Sequence, residues 1–204
     1  MQSRSLSREL ALLMLGQTSD RGDGSNQAAP GLSLETLLQQ AQASLSQHVR
    51  EALDRSAADL QTAQQELLDS LPRVREHLQA GLTAAEQALN RLSASLELPR
   101  LLLLADQEEV RRGAIERAGA VLSDRPAIDR RLDSVMEGWR LGRLPRIDRD
   151  ILRLAAVDLS RFGTPAAVAC NEAVELANRY SDEQGRRMIN GVLRRLTTAE
   201  GSRA

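Results

Sequence analysis

The stretch Trp139-Arg-Leu-Gly-Arg-Leu-Pro-Arg-Ile-Asp-Arg-Asp-Ile-Leu-Arg-Leu154 decides the fold. Pro145 divides it, because proline lacks a backbone N–H, restrains the residue before it and opens a helix well. Beyond Pro145, Ile147, Ile151 and Leu154 recur at helical spacing, and the pattern carries on through Val157. That spacing predicts a helix over 147–160 with one apolar face and charged residues between. On the other side, Ile128, Leu132, Val135 and Met136 predict a helix over 127–138, with Trp139 at its end.

Moving outward, helical signals continue in both directions. Phe162-Gly-Thr-Pro165 reads as a turn, with Thr164 as N-cap and Pro165 at the first helical position. A helix over 165–179 follows, carrying Val168, Ala169, Val174 and Leu176. Ser181-Asp-Glu-Gln184 is a fresh capping pattern with acids in the first turn, ahead of a helix over 182–197 with Met188, Ile189, Val192, Leu193 and Leu196. Upstream, Arg125-Pro126 reads as the end of a helix that starts after Asp106 and runs through Val110, Ala114, Ile115 and Ala118. Ser33 reads as the N-cap of a helix running to Asp69, roughly 55 Å long at the usual helical rise. Pro72 ends that helix, and Val74, Leu78, Leu82, Ala85, Leu89, Leu92 and Leu96 predict a second one, stopped by Pro99. Residues 33–98 therefore read as a helical hairpin or arm. Its seam fits packing within the chain, or pairing with a second copy in a homodimer. TSDRGDGSNQAAPG (18–31) is linker material, and residues 4–17 form a first helix with Leu6, Leu10, Leu13 and Leu15 on its apolar face.

Composition agrees with an all-α fold. Of 204 residues, 42% are apolar, mostly Leu and Ala, while Trp139, Phe162 and Tyr180 are the only aromatics. Strands favour β-branched and aromatic residues, and helices favour Leu and Ala. Net charge is −1, but 11 Arg stand against 7 acids between Trp139 and Arg195, and 9 Arg against 12 acids over residues 1–100. All 27 cationic side chains are Arg, whose planar fork suits phosphate and base edges.

Little in the chain points to catalysis or cofactor binding. Cys170 is alone, so no disulfide or cysteine-based metal cluster can form within the chain. It reads as a small apolar packing residue. His48 and His77 lack acidic or Cys neighbours at ligand spacing, and no Gly-rich loop follows a strand. We expect no enzyme activity, no metal and no cofactor. The polar start and the lack of a long apolar run predict a cytoplasmic protein with no membrane span.

Ile147-Asp-Arg-Asp-Ile-Leu-Arg-Leu154, Val168-Ala-Cys-Asn-Glu-Ala-Val-Glu-Leu-Ala177 and Arg187-Met-Ile-Asn-Gly-Val-Leu193 resemble the NusB family of transcription antitermination factors in order and spacing. Arg8-Glu-Leu-Ala11 is similar to the family's first helix. The resemblance divides the chain into 1–19 and 101–204, the NusB-like domain, and 20–100, which looks like an insertion. It implies two small helical bundles packed together. It also implies binding to boxA-like single-stranded RNA of ribosomal operons, with the small-subunit ribosomal protein NusE, in an antitermination complex on RNA polymerase.

The RNA-binding candidates are Arg4 and Arg8, by match to the Arg-rich family start, and Arg186 and Arg187, by match to a basic position before the final Asn-Gly. The resemblance places these two groups near each other. Each also reads as an ordinary solvated charge. The family often has an aromatic where this chain has Leu15-Gly16, and Phe where Met188 stands. Such rings stack bases, worth roughly 1–3 kcal/mol each, so RNA affinity without NusE is expected to be low. Trp139, beside Arg140 and Arg143, reads either as a bundle anchor or as a stacking platform. Asn171 and Asn190 read as buried structural supports, and Gly191 as a point of close helix approach.

Two other functions compete. A helical assembly or scaffold protein that has lost RNA binding is one. The other is a domain serving an RNA cytosine methyltransferase, which requires a downstream Rossmann-like domain that this sequence does not contain.

Overall fold

The computed structural model describes residues 2–18, 33–69, 82, 83, 86 and 104–201. Within them the regular structure is helical: α1 (Gln2–Gly16), α2 (Leu34–Asp69), α3 (Glu108–Asp133), a short 3-10 turn (Leu141–Arg143), α4 (Arg146–Ser160), α5 (Ala166–Tyr180) and α6 (Glu183–Gly201). The chain forms two compact units, 1–41 with 107–204, and 42–106. The expected linker over 18–31 lies almost wholly outside the described residues. So does the expected helix over 73–98, apart from Leu82, Thr83 and Glu86, which are helical.

Helix α4 is the centre of the first unit. It packs against α1, α3, α5 and α6, and every residue from Asp150 to Asp158 is buried. A helix buried all round needs its polar residues paired, and here they are. Asp148 accepts from Ser181 Oγ at 2.6 Å. Arg153 donates to Asp150 at 2.8 Å and to both oxygens of Asp129 at 2.8 Å. Burial alone would lower the Arg153 pKa, but the two carboxylates outweigh it and hold the guanidinium above its ordinary value.

Local signals explain most helix ends. Ser33 Oγ accepts from the Thr36 N–H at 3.1 Å, the N-cap bond expected for α2. Asp182 Oδ1 accepts from the Gly185 N–H at 2.7 Å and caps α6. The end of α1 is closed locally and from outside: the Leu15 carbonyl accepts from the Thr18 N–H and hydroxyl, and Arg146 donates to it and to the Thr18 carbonyl just beyond the helix.

The boundary expected at Arg125-Pro126 is present as a kink: two helical segments of α3 meet at Asp124, whose φ −130° and ψ 20° are not helical, and Ile128 and Leu132 continue the buried face beyond it. Two other boundaries differ from expectation. The helix expected over 127–138 ends at Asp133, so Trp139 lies in the loop beyond it. At α5 the cap lies one residue later than expected. Pro165 occupies the cap position in an extended conformation with no side-chain cap bond, and its carbonyl accepts from Val168 and Ala169. Thr164 instead donates its N–H to the Asp158 carbonyl at 3.0 Å.

In the second unit, Leu45, Val49, Ser56 and Ala63 of α2 are buried, while Leu60 and His48 are exposed. The seven-residue recurrence from Val49 to Ala63 marks one helix face.

Candidate nucleic-acid interface

The four arginines singled out from the sequence divide into two kinds. Arg8 is 4% exposed, so it does not face solvent as an RNA contact would. Its Nε pairs with Asp158, and Nη1 lies 3.7 Å from Glu172. Asp158, 2% exposed, also accepts from Arg117 Nε at 3.0 Å. Arg117 in turn lies over the Phe162 ring at 4.6 Å. One buried carboxylate thus joins α1, α3 and α4. Arg8 Nη1 also donates to the Arg4 carbonyl at 3.1 Å, which fixes the first turn of α1.

Arg4 is exposed, and its guanidinium has no partner among the described residues. Arg186 is exposed and donates to Asn178 Oδ1 at 3.0 Å. Arg187 is 77% exposed and reaches only Glu183, one turn back. An exposed i,i+4 pair of this kind is worth only about 0.3–0.5 kcal/mol, so it yields readily to another anion.

Helix α5 is contacted from both α1 and the start of α6. Ser5 Oγ donates to Glu172 at 2.8 Å near the start of α5. At its far end, Glu9 accepts from Tyr180 Oη at 2.6 Å and from Arg179 Nη1 at 2.5 Å. Burial, then the charge of Glu9 and its hydrogen bond, push the Tyr180 phenol above its ordinary range. Arg179, though partly buried, is held above its ordinary value by Glu9. Arg186 and Ser5 reach the same helix at Asn178 and Glu172, contact points about 9 Å apart along its axis. The two contact points face about 120° apart around α5, so α1 and α6 meet this helix on different sides.

Several expectations are corrected by this geometry. Asn171 and Asn190 are exposed, not buried supports. A Cβ at Gly191 would meet nothing within 4 Å, so it is not a point of close approach. That role falls to Gly185, where a Cβ would lie 2.2 Å from Ser181 Oγ and 2.8 Å from Asp148 Oδ2. Val168 is exposed, and Cys170 is half-buried, its thiol pushed up by desolvation. Trp139 is 55% exposed, so it does not anchor a bundle junction.

Sequence reasoning missed Arg194. It is exposed, carries no ion pair among the described residues, and lies two turns beyond Arg187 on the same face of α6. The signal was present: Arg187, Asn190, Gly191 and Arg194 follow helical spacing, and none is a large apolar residue. A depression of about 380 Å³ beside Arg187 is lined by Asp182, Glu183 and Gln184, and two carboxylates make it a poor seat for phosphate. Among the described residues, no group of three His, Cys, Asp or Glu side chains is placed to hold a metal ion, and no helix is long and apolar enough to cross a membrane.

Comparison with known proteins agrees with these motifs. A model of the NusB family matches residues 81–198. A Synechococcus protein named transcription antitermination protein NusB is 44% identical over 210 positions, covering 100% of this chain and 97% of its own length. Proteins of the same name from Synechocystis and Gloeobacter violaceus are 44% and 42% identical, covering 96% of this chain and 91% and 94% of their own lengths. The Synechococcus match spans the segment 20–100 as well, so that relative shares it. With its motifs, its helical order and these full-length relatives in agreement, the chain belongs to the NusB family.

Proposed function

We propose that this chain is a non-enzymatic transcription antitermination factor. It binds boxA-like single-stranded RNA of ribosomal operons together with NusE, within an antitermination complex on RNA polymerase. The observation that carries the reading is the set of exposed guanidiniums on α1 and α6: Arg4, Arg186 and Arg194 without acid partners among the described residues, and Arg187 with only an exposed one. Phosphate binding gains its free energy from released counterions, and this requires cations that can reach a strand. The relatives' shared name supports the same reading.

Arg8 has a different part in this account. Its buried pairing with Asp158 and its bond to the Arg4 carbonyl hold the first turn of α1, so Arg8 positions Arg4 rather than touching RNA. Bases find few rings: Gly16 is bare and Met188 replaces an aromatic. Stacking therefore falls to guanidinium planes, and NusE supplies the remaining affinity.

The test is a titration of labelled boxA RNA, with and without NusE, at two salt concentrations. Binding that weakens with salt and strengthens with NusE is expected. If neither RNA nor NusE binds, the antitermination reading fails and the helical scaffold reading takes its place.

A further inference from the structure

Trp139 is the single tryptophan of the chain, and it stands more than half exposed in a loop that the proposed RNA site does not use. The loop is firmly built. Gly138 adopts φ +73°, a left-handed conformation that glycine takes without strain. Asp133 Oδ1 accepts from the Leu141 N–H at 2.8 Å, the Leu141 side chain is buried, and Leu141–Arg143 form a 3-10 turn. Trp139, Arg140 and Arg143, with Asp133, Met136 and Gly138, surround an open recess of about 440 Å³. Arg140 and Arg143 are exposed and have no acid partner among the described residues.

We infer that Trp139, Arg140 and Arg143 form a second contact for single-stranded RNA, in which a base stacks on the Trp139 indole and flanking phosphates pair with the two guanidiniums. An indole ringed by unpaired cations matches an anionic chain that carries flat bases. The same charges disfavour an acid-poor protein segment. Asp133 also lines the recess, its Oδ1 accepting from the Leu141 N–H, and the two guanidiniums outnumber its single charge.

A path joins this platform to the first site. Arg195 Nε donates to the Val135 carbonyl at 2.8 Å and so fastens the loop to α6 one residue beyond Arg194. Arg187 and Arg194 are separated by about 10 Å along α6. Between them stand Asn190, exposed, and Gly191, with open space around its missing side chain. A strand laid along Arg187, Asn190 and Arg194 leads toward Trp139. The inference rests on the RNA-binding reading and adds to it: the footprint extends past boxA, and the added contact is indifferent to sequence, because every base has a π-face.

The test uses the full chain and its own fluorophore. Two RNAs are compared, boxA alone and boxA extended at either end by unrelated nucleotides, and Trp fluorescence and affinity are both read. The expected result is quenching by the extended RNA, with the extended RNA binding more tightly than boxA alone. In Trp139→Ala this preference falls by about 5- to 150-fold, matching one lost stack. Trp139→Phe retains part of it, and Arg140→Gln with Arg143→Gln lowers it in proportion. Arg50→Gln, an exposed arginine of the second unit, controls for charge. If the parent binds boxA but shows neither quenching nor any gain from extension, the second contact is refuted while the first site stands. If NusE perturbs Trp139 and RNA does not, the platform is a protein contact and the inference is overturned. If the parent binds no RNA, the RNA-binding reading fails and this inference falls with it.

Discussion

Replacing Asp158 with Asn removes one negative charge from a site that holds two cations out of water. Asp158 is 2% exposed, Arg8 4% and the Arg117 side chain 10%. Leaving a buried charge without its partner costs about 3–5 kcal/mol. Three contacts soften the loss here: Glu172 lies 3.7 Å from Arg8, and Arg117 keeps the Gly113 carbonyl at 3.0 Å and the face of Phe162. Asn also retains one acceptor oxygen. The expected cost is therefore at the lower end, about 3 kcal/mol. That is a large share of the roughly 5–15 kcal/mol that stabilises a typical domain. In urea unfolding followed by circular dichroism, the midpoint should fall by about 1–3 M with the slope unchanged. Combining Asp158→Asn with Arg8→Met should give less than the sum of the single losses, since the two residues share one network. A midpoint shift under about 0.3 M, or simple additivity in the double variant, would refute the claim that this carboxylate holds α1 in place.

Other outcomes follow from the same geometry. Gly185→Ala should destabilise by about 1–3 kcal/mol, because the new Cβ displaces Ser181 Oγ from Asp148 and leaves a buried carboxylate oxygen unpaired; thermal unfolding reads this. Gly191→Ala, which meets nothing, should instead stabilise by about 0.5–1 kcal/mol through helix propensity alone. The Tyr180 phenol is raised in the fold, so the unfolded chain loses this proton first as pH rises. Stability from this group is present below pH 10.0, the unreacted phenol's ordinary value, and is lost above it. Tyr180→Phe should therefore flatten the alkaline fall by up to about 1.4 kcal/mol per pH unit in urea titrations. Gly16→Tyr, placed where a Cβ has open space, should tighten boxA binding by about 5-fold or more by adding one stacking ring; unchanged affinity would remove the end of α1 from the RNA path.

The helices were legible in the sequence wherever an apolar period met a capping or proline signal, as at Ser33, Pro145 and Asp182. Pro126 marks a real break: the helical backbone is interrupted at Asp124 and resumes with the proline in its first turn, where a missing N–H costs nothing. The site was harder to read. Arg4 and Arg8 look alike in sequence, one turn apart. Only the fold reveals that Asp158, 150 residues away, takes Arg8 inward and leaves Arg4 in solvent. Asn171, Asn190 and Gly191 lie in family motifs that suggest packing, yet the two asparagines are exposed and Gly191 has open space where a Cβ would stand. Arg194 could have been found by extending the Arg187 spacing two turns. The exposure of Trp139 could not, since an indole at a helix end fits an anchor as well as a platform.

The central claim is that a small set of exposed arginines on α1 and α6 binds RNA, and the salt dependence of boxA binding tests it most directly. With Arg4, Arg186, Arg187 and Arg194 each neutralising one phosphate, log affinity against log salt should have a slope of about −2.8 for a single strand. In the Arg4→Gln/Arg186→Gln/Arg187→Gln variant the slope should shrink to about −0.7, with helicity by circular dichroism unchanged. A slope that stays near the parent value in the folded variant would place the RNA elsewhere on the molecule and contradict the account.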